Sequence, residues 1–211
     1  MVDFEVTVIG AGVVGLSIAR ELSISGKKVL VIDKNSSFGQ ENSSRNSGVI
    51  HAGIYYPRNS FKNKFCTAGN VRLYSYAKER GIGFSNCGKI IIATRKQEEI
   101  KLNQIIFNAE RNGLTLEKLE KKQLKELEPE LVGEIGLLSR TTGIIDIHDL
   151  MLNFVIDIEN NGGLVSFHSE FSHSINKSNH ISFFLKKDSK EEIKTKSIIN
   201  SSGLYSHLVA K

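Results

Sequence analysis

The sequence predicts an α/β fold that opens with a βαβ unit, and four features of the first 33 residues carry that prediction. Residues 4–9 form a short β-rich run, a glycine-rich turn follows, and apolar residues then recur at helical spacing from Val13 to Leu22. Gly26 ends that helix, and the uninterrupted apolar stretch VLVI after it is typical of a strand buried on both faces of a parallel sheet. Strand, turn, helix and strand in this order form a βαβ unit.

The remaining chain alternates between predicted helices and strands. Helical spacing or helix-ending residues predict four helices, over residues 61–80, 95–112 and 117–127, and from a cap at His148 or Asp149 to the Gly162–Gly163 pair. Strands are predicted at GKIIIAT, at the start of GIIDIHDL, at LVSFHSEF, at HISFFLKK and at EEIKTKSIINSSG. The last two strands are expected to form a hairpin joined through residues 188–190.

Composition places the chain among globular proteins and disfavours a nucleic-acid partner. The 211 residues are 40% hydrophobic and 24% charged, which suits one core or two small ones. The net charge is +5, but the lysines alternate with glutamates and form no basic stripe. Cys66 and Cys87 have neither metal-ligand nor CxxC spacing, which predicts reduced thiols. We therefore expect a cytoplasmic protein, with peripheral attachment to the inner face of the membrane left open.

The motif VIGAGVVG places Gly10, Gly12 and Gly15 in the pattern G-x-G-x-x-G, between a strand and a helix. The first glycine permits the tight turn, the second lets backbone amides approach a pyrophosphate, and the third lets the helix pack close to the strand. Asp33 ends the second strand and can accept hydrogen bonds from ribose hydroxyls. The motif predicts a dinucleotide site; it does not choose between NAD and FAD, and glycines that serve packing alone remain the alternative.

Six stretches together resemble the FAD-dependent oxidoreductases of the D-amino-acid-oxidase superfamily, and most of all its branch of L-2-hydroxyglutarate dehydrogenases and oxidases. They are VTVIGAGVVGLSIARELS, VLVIDK, SSRNSGVIHAGIYYP, CGKIIIA, TGIIDIHDL and IINSSG. The resemblance implies a Rossmann-like FAD-binding domain of the glutathione-reductase/D-amino-acid-oxidase type, formed by residues 1–80 and 140–211. Residues 81–139 would be part of a smaller, inserted α+β substrate domain.

The resemblance also assigns cofactor-binding roles. It places the pyrophosphate at the three glycines, the adenosine ribose at the end of the second strand, and the ribityl chain and flavin along the segment SSRNSG. The adenine would lie near the strand VSFHSEF, and NSSG would supply a second contact with FAD. The residues so implied are Gly10, Gly12, Gly15, Asp33, Lys34, Ser44, Arg45, Asn46, Ser47, Gly48, Phe171, Ser202 and Gly203. For Arg45 two partners remain open, a phosphate of FAD or a loop carbonyl.

His51 is the candidate catalytic residue, because similar enzymes carry a histidine of this turn beside the flavin, in some amine-oxidising relatives joined covalently to it. A neutral imidazole could take the hydroxyl proton of a 2-hydroxy acid. The alternative is a histidine that only hydrogen-bonds its loop. Tyr55 and Tyr56 could meet a substrate carboxylate or serve aromatic packing. The other histidines share no ligand spacing, so no metal site is predicted.

The resemblance implies FAD-dependent oxidation of a small 2-hydroxy acid, L-2-hydroxyglutarate to 2-oxoglutarate, with electrons passing to a quinone, another carrier or oxygen. An amino-acid or amine oxidase is the alternative within the superfamily, and an inactive FAD-binding fragment or a subunit of a split enzyme is the third. Members of the family continue past the position of Lys211. We therefore expect a second chain that supplies the missing half, a degenerate reading frame, or a fragment of a longer product.

Overall fold

A computed structural model describes residues 1–187 and 191–211, and it confirms the predicted α/β fold. The turn predicted at residues 188–190 lies outside the described residues. The chain forms two compact units, one made of Met1–Asn46 and Ile147–Lys211 and the other of Ser47–Asp146. Each unit has its own sheets and its own buried residues, so the two are described separately.

The strands are β1 (Phe4–Ile9), β2 (Val29–Ile32), β3 (Val49–Ile50), β4 (Phe84–Ser85), β5 (Lys89–Ala93), β6 (Glu117–Glu120), β7 (Ile135–Ser139), β8 (Gly143–Ile145), β9 (Leu164–Ser166), β10 (Phe171–Asn176), β11 (Ile181–Leu185) and β12 (Ile193–Asn200). The helices are α1 (Val13–Ile24), α2 (Phe61–Arg80), α3 (Glu99–Arg111), α4 (Lys121–Leu127), α5 (Ile147–Asn160) and α6 (Ser206–Val209). Short 3₁₀ turns cover Asn42–Ser44, Lys96–Glu98 and Gly203–Tyr205.

The first unit is built on a six-stranded sheet with the order β10-β11-β12-β1-β2-β9. β12, β1, β2 and β9 run parallel, whereas β10 and β11 are antiparallel to their neighbours. β2 is buried along its whole length, as its uninterrupted apolar sequence predicts. Helices α1 and α5 pack together, and the Arg20 guanidinium contacts the buried Asp157 carboxylate at 2.6 Å. The βαβ unit is therefore completed by strands from the far end of the chain.

The second unit contains two three-stranded sheets, with the orders β3-β8-β4 and β5-β7-β6. Helix α2 begins after Ser60, whose side chain accepts a hydrogen bond from the Asn63 amide, and ends at Gly81, whose φ is +69°. Helix α3 packs on β5 and β7 through a cluster of Ala93, Leu102 and Leu137. The pairing of β3 and β4 with β8 draws the segment after Asn46 into this unit.

Three local predictions are wrong. The helix predicted over 117–127 starts only at Lys121, because residues 117–120 pair with β7 and turn Leu119 into the core. The strand predicted over LVSFHSEF is broken at His168, whose φ of +54° separates β9 from β10. Helix α5 starts at Ile147, so His148 and Asp149 lie in its first turn instead of capping it.

The boundaries of the two compact units differ from those of the predicted domains. The units change at residues 46/47 and 146/147, whereas the domains were expected to change at 80/81 and 139/140. The difference arises because residues 47–80 and 140–146 carry β3, α2 and β8: β8 pairs with both β3 and β4, and Tyr74 of α2 contacts Phe84 of β4. The assignment of FAD and substrate roles to the two domains stays a prediction. No helix within residues 1–187 and 191–211 combines the length and apolar character needed to cross a bilayer.

Phe183 offers a test of the core of the first unit. Its side chain is fully buried in a cluster with Ile9, Leu30 and Ile32. We expect Phe183→Ala to lower the free energy of unfolding by about 3 to 5 kcal/mol, measured by urea denaturation, because a cavity remains where the ring was. The neighbouring Phe184 is only partly buried, so Phe184→Ala should lower it by less than half as much. Equal losses for the two variants would contradict the described packing.

Candidate functional site

A cavity of about 770 Å³ lies in the first unit at the carboxyl ends of β1, β2 and β12. Its wall includes the residues that follow these three strands, the loop 41–46, the start of β10 and the segment 202–209. Ligands of open parallel sheets bind beyond the carboxyl ends of the strands, where neighbouring connections diverge. The sheet topology therefore places this cavity where a nucleotide is expected.

The glycine turn forms the floor of the cavity and is closely packed beneath it. Gly10 has a φ of +109°, and a Cβ there would stand 2.5 Å from the Ser201 carbonyl oxygen at the end of β12. Gly15 packs against the Gly10 carbonyl, where a Cβ also would not fit. Gly12 has an ordinary φ of −80°, so space alone restricts it: a Cβ would lie 3.1 Å from the Ser43 Oγ. Gly10 and Gly15 thus make the tight turn sterically possible, and Gly12 leaves space in the cavity.

The start of α1 faces this cavity and is suited to an anion. Gly12 supplies no side-chain cap, and no acidic residue lies in the first turn. The Val13 amide donates to the Ser43 Oγ at 3.0 Å. Amides at the start of a helix lack intrahelical acceptors and carry partial positive charge, which favours phosphate groups. The region has the geometry required to bind a diphosphate.

Asp33 links the end of β2 to the glycine turn. Its Oδ2 accepts a hydrogen bond from the Ala11 amide at 2.8 Å, and its Oδ1 accepts one from the Asn35 amide at 2.9 Å. The carboxylate lines the cavity, and each oxygen keeps a further lone pair for a ligand hydroxyl. Its orientation suits a ribose, and its negative charge disfavours a 2′-phosphate.

A chain of charged side chains begins at Lys34 and Glu41 in the cavity wall and continues to Arg45 in the adjoining loop. The Lys34 ammonium is 3.3 Å from the Glu41 carboxylate and 3.7 Å from the centre of the Tyr205 ring. The Arg45 guanidinium donates to the Gln40 carbonyl at 2.6 Å and lies 3.8 Å from the second oxygen of Glu41. Arg45 thus contacts a loop carbonyl, and its role toward a phosphate of FAD stays a prediction. Glu41 and Tyr205, which sequence reasoning missed, hold Lys34 between them.

Most of the other predicted cofactor residues also gather in the first unit. Asn46, Phe171, Ser202 and Gly203 line the same cavity. The side-chain amide of Asn46 donates to the Ser43 carbonyl at 2.8 Å, and the Ser202 hydroxyl donates to the side-chain oxygen of Asn200 at 2.6 Å. Ser44 and Arg45 line a second cavity of about 570 Å³, which shares Ser43 and Asn46 with the first. Ser43 and Asn200 were not singled out, although both lie within the motifs SSRNSG and IINSSG.

Ser47, Gly48 and His51 belong to the second unit. The Gly48 carbonyl accepts a hydrogen bond from the Ile145 amide at 2.9 Å. The His51 ring is exposed and makes no hydrogen bond within the described parts of the chain, whereas its carbonyl accepts hydrogen bonds from Cys66 and Asn70. The backbone of His51 is thus held by α2, whereas its ring is exposed.

The two candidate tyrosines lie beside lysine side chains of the same unit. The Lys89 ammonium is 4.6 Å from the centre of the Tyr55 ring, and the Lys62 ammonium is 5.9 Å from that of Tyr56. Both arrangements are cation–π contacts, which attract through the face of the ring. Among the described residues no cluster of three or more histidine, cysteine or acidic side chains could hold a metal ion.

The glycine turn, the helix start with no acidic residue in its first turn, the oriented Asp33 and the cavity together define a dinucleotide-binding α/β protein. The sequence profile of the family of FAD dependent oxidoreductases, DAO, matches residues 5–211, and the chain belongs to this family. Its cofactor is FAD. The residues present fit that group: the amides at the start of α1 would hold the pyrophosphate, and Asp33 would hold the adenosine ribose.

Two relatives and one solved structure show how far the similarity extends. An L-2-hydroxyglutarate dehydrogenase of Arabidopsis thaliana is 47% identical over 152 residues, which cover 72% of this chain and 32% of the relative. Its human counterpart is 30% identical over 222 residues, covering 99% of this chain and 48% of the relative. An FAD-bound L-alpha-glycerophosphate oxidase of Mycoplasma pneumoniae shares the fold, with a TM-score of 0.91, 23% identity, and coverage of 98% of this chain and 57% of the other. The chain thus spans about half the length of these proteins or less.

Gly12→Val tests the cavity floor. The Cβ would press on Ser43 and the two methyl groups would occupy space beside the α1 amides. We expect FAD affinity to fall about 10- to 100-fold, the loss caused by removing one hydrogen bond to a charged group. The measurement is a titration followed by quenching of FAD fluorescence. Gly69→Val in α2, where a Cβ meets no atom within 4 Å, is the control and should bind FAD as the parent does.

Glu41→Gln tests the charged wall. The change removes a negative charge beside the pyrophosphate position and releases Lys34 and Arg45 to face phosphate. Because these side chains are half-exposed, we expect only about 2- to 5-fold tighter FAD binding, with the gain shrinking as salt is added. Glu126→Gln, which alters an exposed glutamate of the second unit, should leave the affinity unchanged. Weaker binding by Glu41→Gln would mean that Glu41 supports the cofactor.

Proposed function

We propose that this chain takes part in the FAD-dependent oxidation of a small 2-hydroxy acid, L-2-hydroxyglutarate to 2-oxoglutarate. The observation that carries the proposal is the exposed His51 imidazole, free of hydrogen bonds within the described residues, in a chain of the FAD dependent oxidoreductase family. Similarity to relatives named L-2-hydroxyglutarate dehydrogenase, at 30% to 47% identity, supports the choice of substrate.

His51 would act as the general base. Oxidation of a secondary alcohol removes a proton from oxygen and a hydride equivalent from carbon. A neutral imidazole near pH 7 can accept the hydroxyl proton. FAD, when bound, supplies the acceptor for the hydride equivalent. The part of the protein before and after the second unit would serve the cofactor: the α1 amides bind its pyrophosphate, Asp33 orients its ribose, and Gly12 leaves room for both.

The remaining parts of the proposal concern the whole protein. Residues 1–80 and 140–211 would form the FAD-binding domain, and 81–139 part of the substrate domain. Because the chain spans about half the length of its curated relatives, further contacts with the substrate carboxylates would come from a second chain or from further sequence. Electrons would leave to a quinone, another carrier or oxygen. We place the protein in the cytoplasm, with peripheral attachment to the membrane if a quinone is the acceptor.

Anaerobic mixing of the FAD-loaded chain with L-2-hydroxyglutarate tests this function. We expect the flavin absorption near its visible maximum to bleach. His51→Gln should lower the limiting rate of bleaching by a factor of about 10² to 10⁴, the usual contribution of a general base. His173→Gln, an exposed histidine on β10, is the control and should keep the parent rate. Bleaching by glycine, sarcosine or D-alanine, but not by the hydroxy acid, would assign the chain to amine oxidation instead.

A further inference from the structure

Three side chains on one face of α2 donate hydrogen bonds to carbonyls of two loops in the second unit. Cys66, Asn70 and Tyr74 are spaced by four residues, so they lie one above the other on the helix. The Cys66 Sγ donates to the His51 carbonyl at 3.3 Å, and the Tyr74 hydroxyl donates to the Thr141 carbonyl at 3.3 Å. Asn70 stands between them and reaches both carbonyls with its Nδ2, at 3.2 Å for His51 and 2.9 Å for Thr141.

The two carbonyls belong to strand ends that lie side by side. His51 directly follows β3, and Thr141 lies in the turn that leads into β8. β3 and β8 pair with each other, with Ile50 opposite Gly143. One amide of α2 therefore joins the helix to the ends of two neighbouring strands, at the point where the chain leaves the sheet.

The peptide that carries the His51 ring is closely confined. Ala52 and Ile54 are buried at 3% exposure, so the exposed ring is followed at once by core residues. Gly53 has a φ of +90°, and a Cβ there would stand 2.9 Å from the Thr67 methyl group on the same face of α2. The loop thus lies directly against the helix, and the distance between the loop and the helix determines where the imidazole projects.

Asn70 dominates this arrangement. A thiol is a weak hydrogen-bond donor, and burial raises the pKa of the Cys66 thiol, so Cys66 remains a neutral, weak partner. Tyr74 does not contact the His51 carbonyl. The Asn70 side chain is buried at 8% exposure, and its two amide hydrogens match the two carbonyls it faces. Without that amide, the His51 and Thr141 carbonyls would lose their shared donor and keep only the thiol of Cys66 and the hydroxyl of Tyr74.

We infer that Asn70 is a positioning residue for His51: it fixes the peptide from which the imidazole projects toward the reacting hydroxyl. This role rests on the proposed function of His51 as general base. Asn70 touches neither substrate nor cofactor in this scheme. A displacement of a reacting group by about 1 Å lowers the rate on the order of 10²-fold, so a loosened loop should be visible in the rate.

Asn70→Ser tests the inference, with Asn112→Ser as the matched control. Asn112 also donates an amide hydrogen to a loop carbonyl of the second unit, that of Tyr56 at 2.9 Å, but it does not contact His51. The chain is loaded with FAD in each case. The readouts are the limiting rate of flavin bleaching by L-2-hydroxyglutarate, the FAD affinity, and the NMR titration of the His51 ring, assigned by its loss in His51→Gln.

We expect Asn70→Ser to slow bleaching about 10- to 100-fold with FAD affinity unchanged, and to shift and broaden the His51 ring signals. Asn112→Ser should change neither. In the double variant Asn70→Ser/His51→Gln the rate should equal that of His51→Gln alone, because a base that is absent cannot be mispositioned. A purely structural role would instead give independent, multiplying losses.

The outcomes separate this inference from the function it rests on. If His51→Gln bleaches at the parent rate, or if neither the parent chain nor any variant bleaches, His51 loses its role as base in this chain. The NMR measurement then decides whether Asn70 positions the ring. If His51→Gln is slow but Asn70→Ser leaves both the rate and the ring signals unchanged, the positioning role is overturned. Equal perturbation of the ring by Asn112→Ser would overturn it as well.

Discussion

The close approach of the Gly10 turn to the end of β12 is the constraint on which the rest of the first unit depends. A Cβ at Gly10 would stand 2.5 Å from the Ser201 carbonyl, so the turn and the strand end can meet only where no side chain intervenes. β1 pairs with β12, with Phe4 opposite Thr195, so two strands from opposite ends of the sequence are neighbours in the sheet. This contact closes the cavity floor, sets the start of α1, and brings NSSG beside the glycine motif.

Opposed electrostatic effects act within the same cavity. The start of α1 and Lys34 favour an anion in this cavity, whereas Asp33 and Glu41 oppose one. Asp33 is useful because it recognises ribose hydroxyls and repels a 2′-phosphate. Glu41 contacts both Lys34 and Arg45, so an incoming phosphate would compete with this carboxylate for the two cations.

In the second unit, side chains of helix α2 hold the loop that carries His51 by hydrogen bonds to the loop's backbone. His51 has no regular strand or helix to fix it, because β3 ends at Ile50. The polar face of α2 supplies that rigidity through carbonyl contacts and leaves the ring exposed. Reactive groups often lie on loops that a rigid scaffold positions. Here the scaffold is Asn70 with its neighbours on α2.

The sequence by itself determined the βαβ unit, the glycine turn and Asp33, because each depends on residues near one another in the chain, and it determined the family through six short motifs that are each local. Strand β2 reads as buried from its apolar run, and G-x-G-x-x-G needs only a strand before it and a helix after it. Local patterns also misled: residues 117–120 have helical composition, yet pairing with β7 makes them a strand. Only the tertiary structure decided that Glu41 and Tyr205 hold Lys34, and that Asn70 reaches the carbonyls of His51 and Thr141. These partners lie 7 to 171 residues apart in the sequence. Such contacts leave no periodic pattern in the sequence, because only folding brings the residues together.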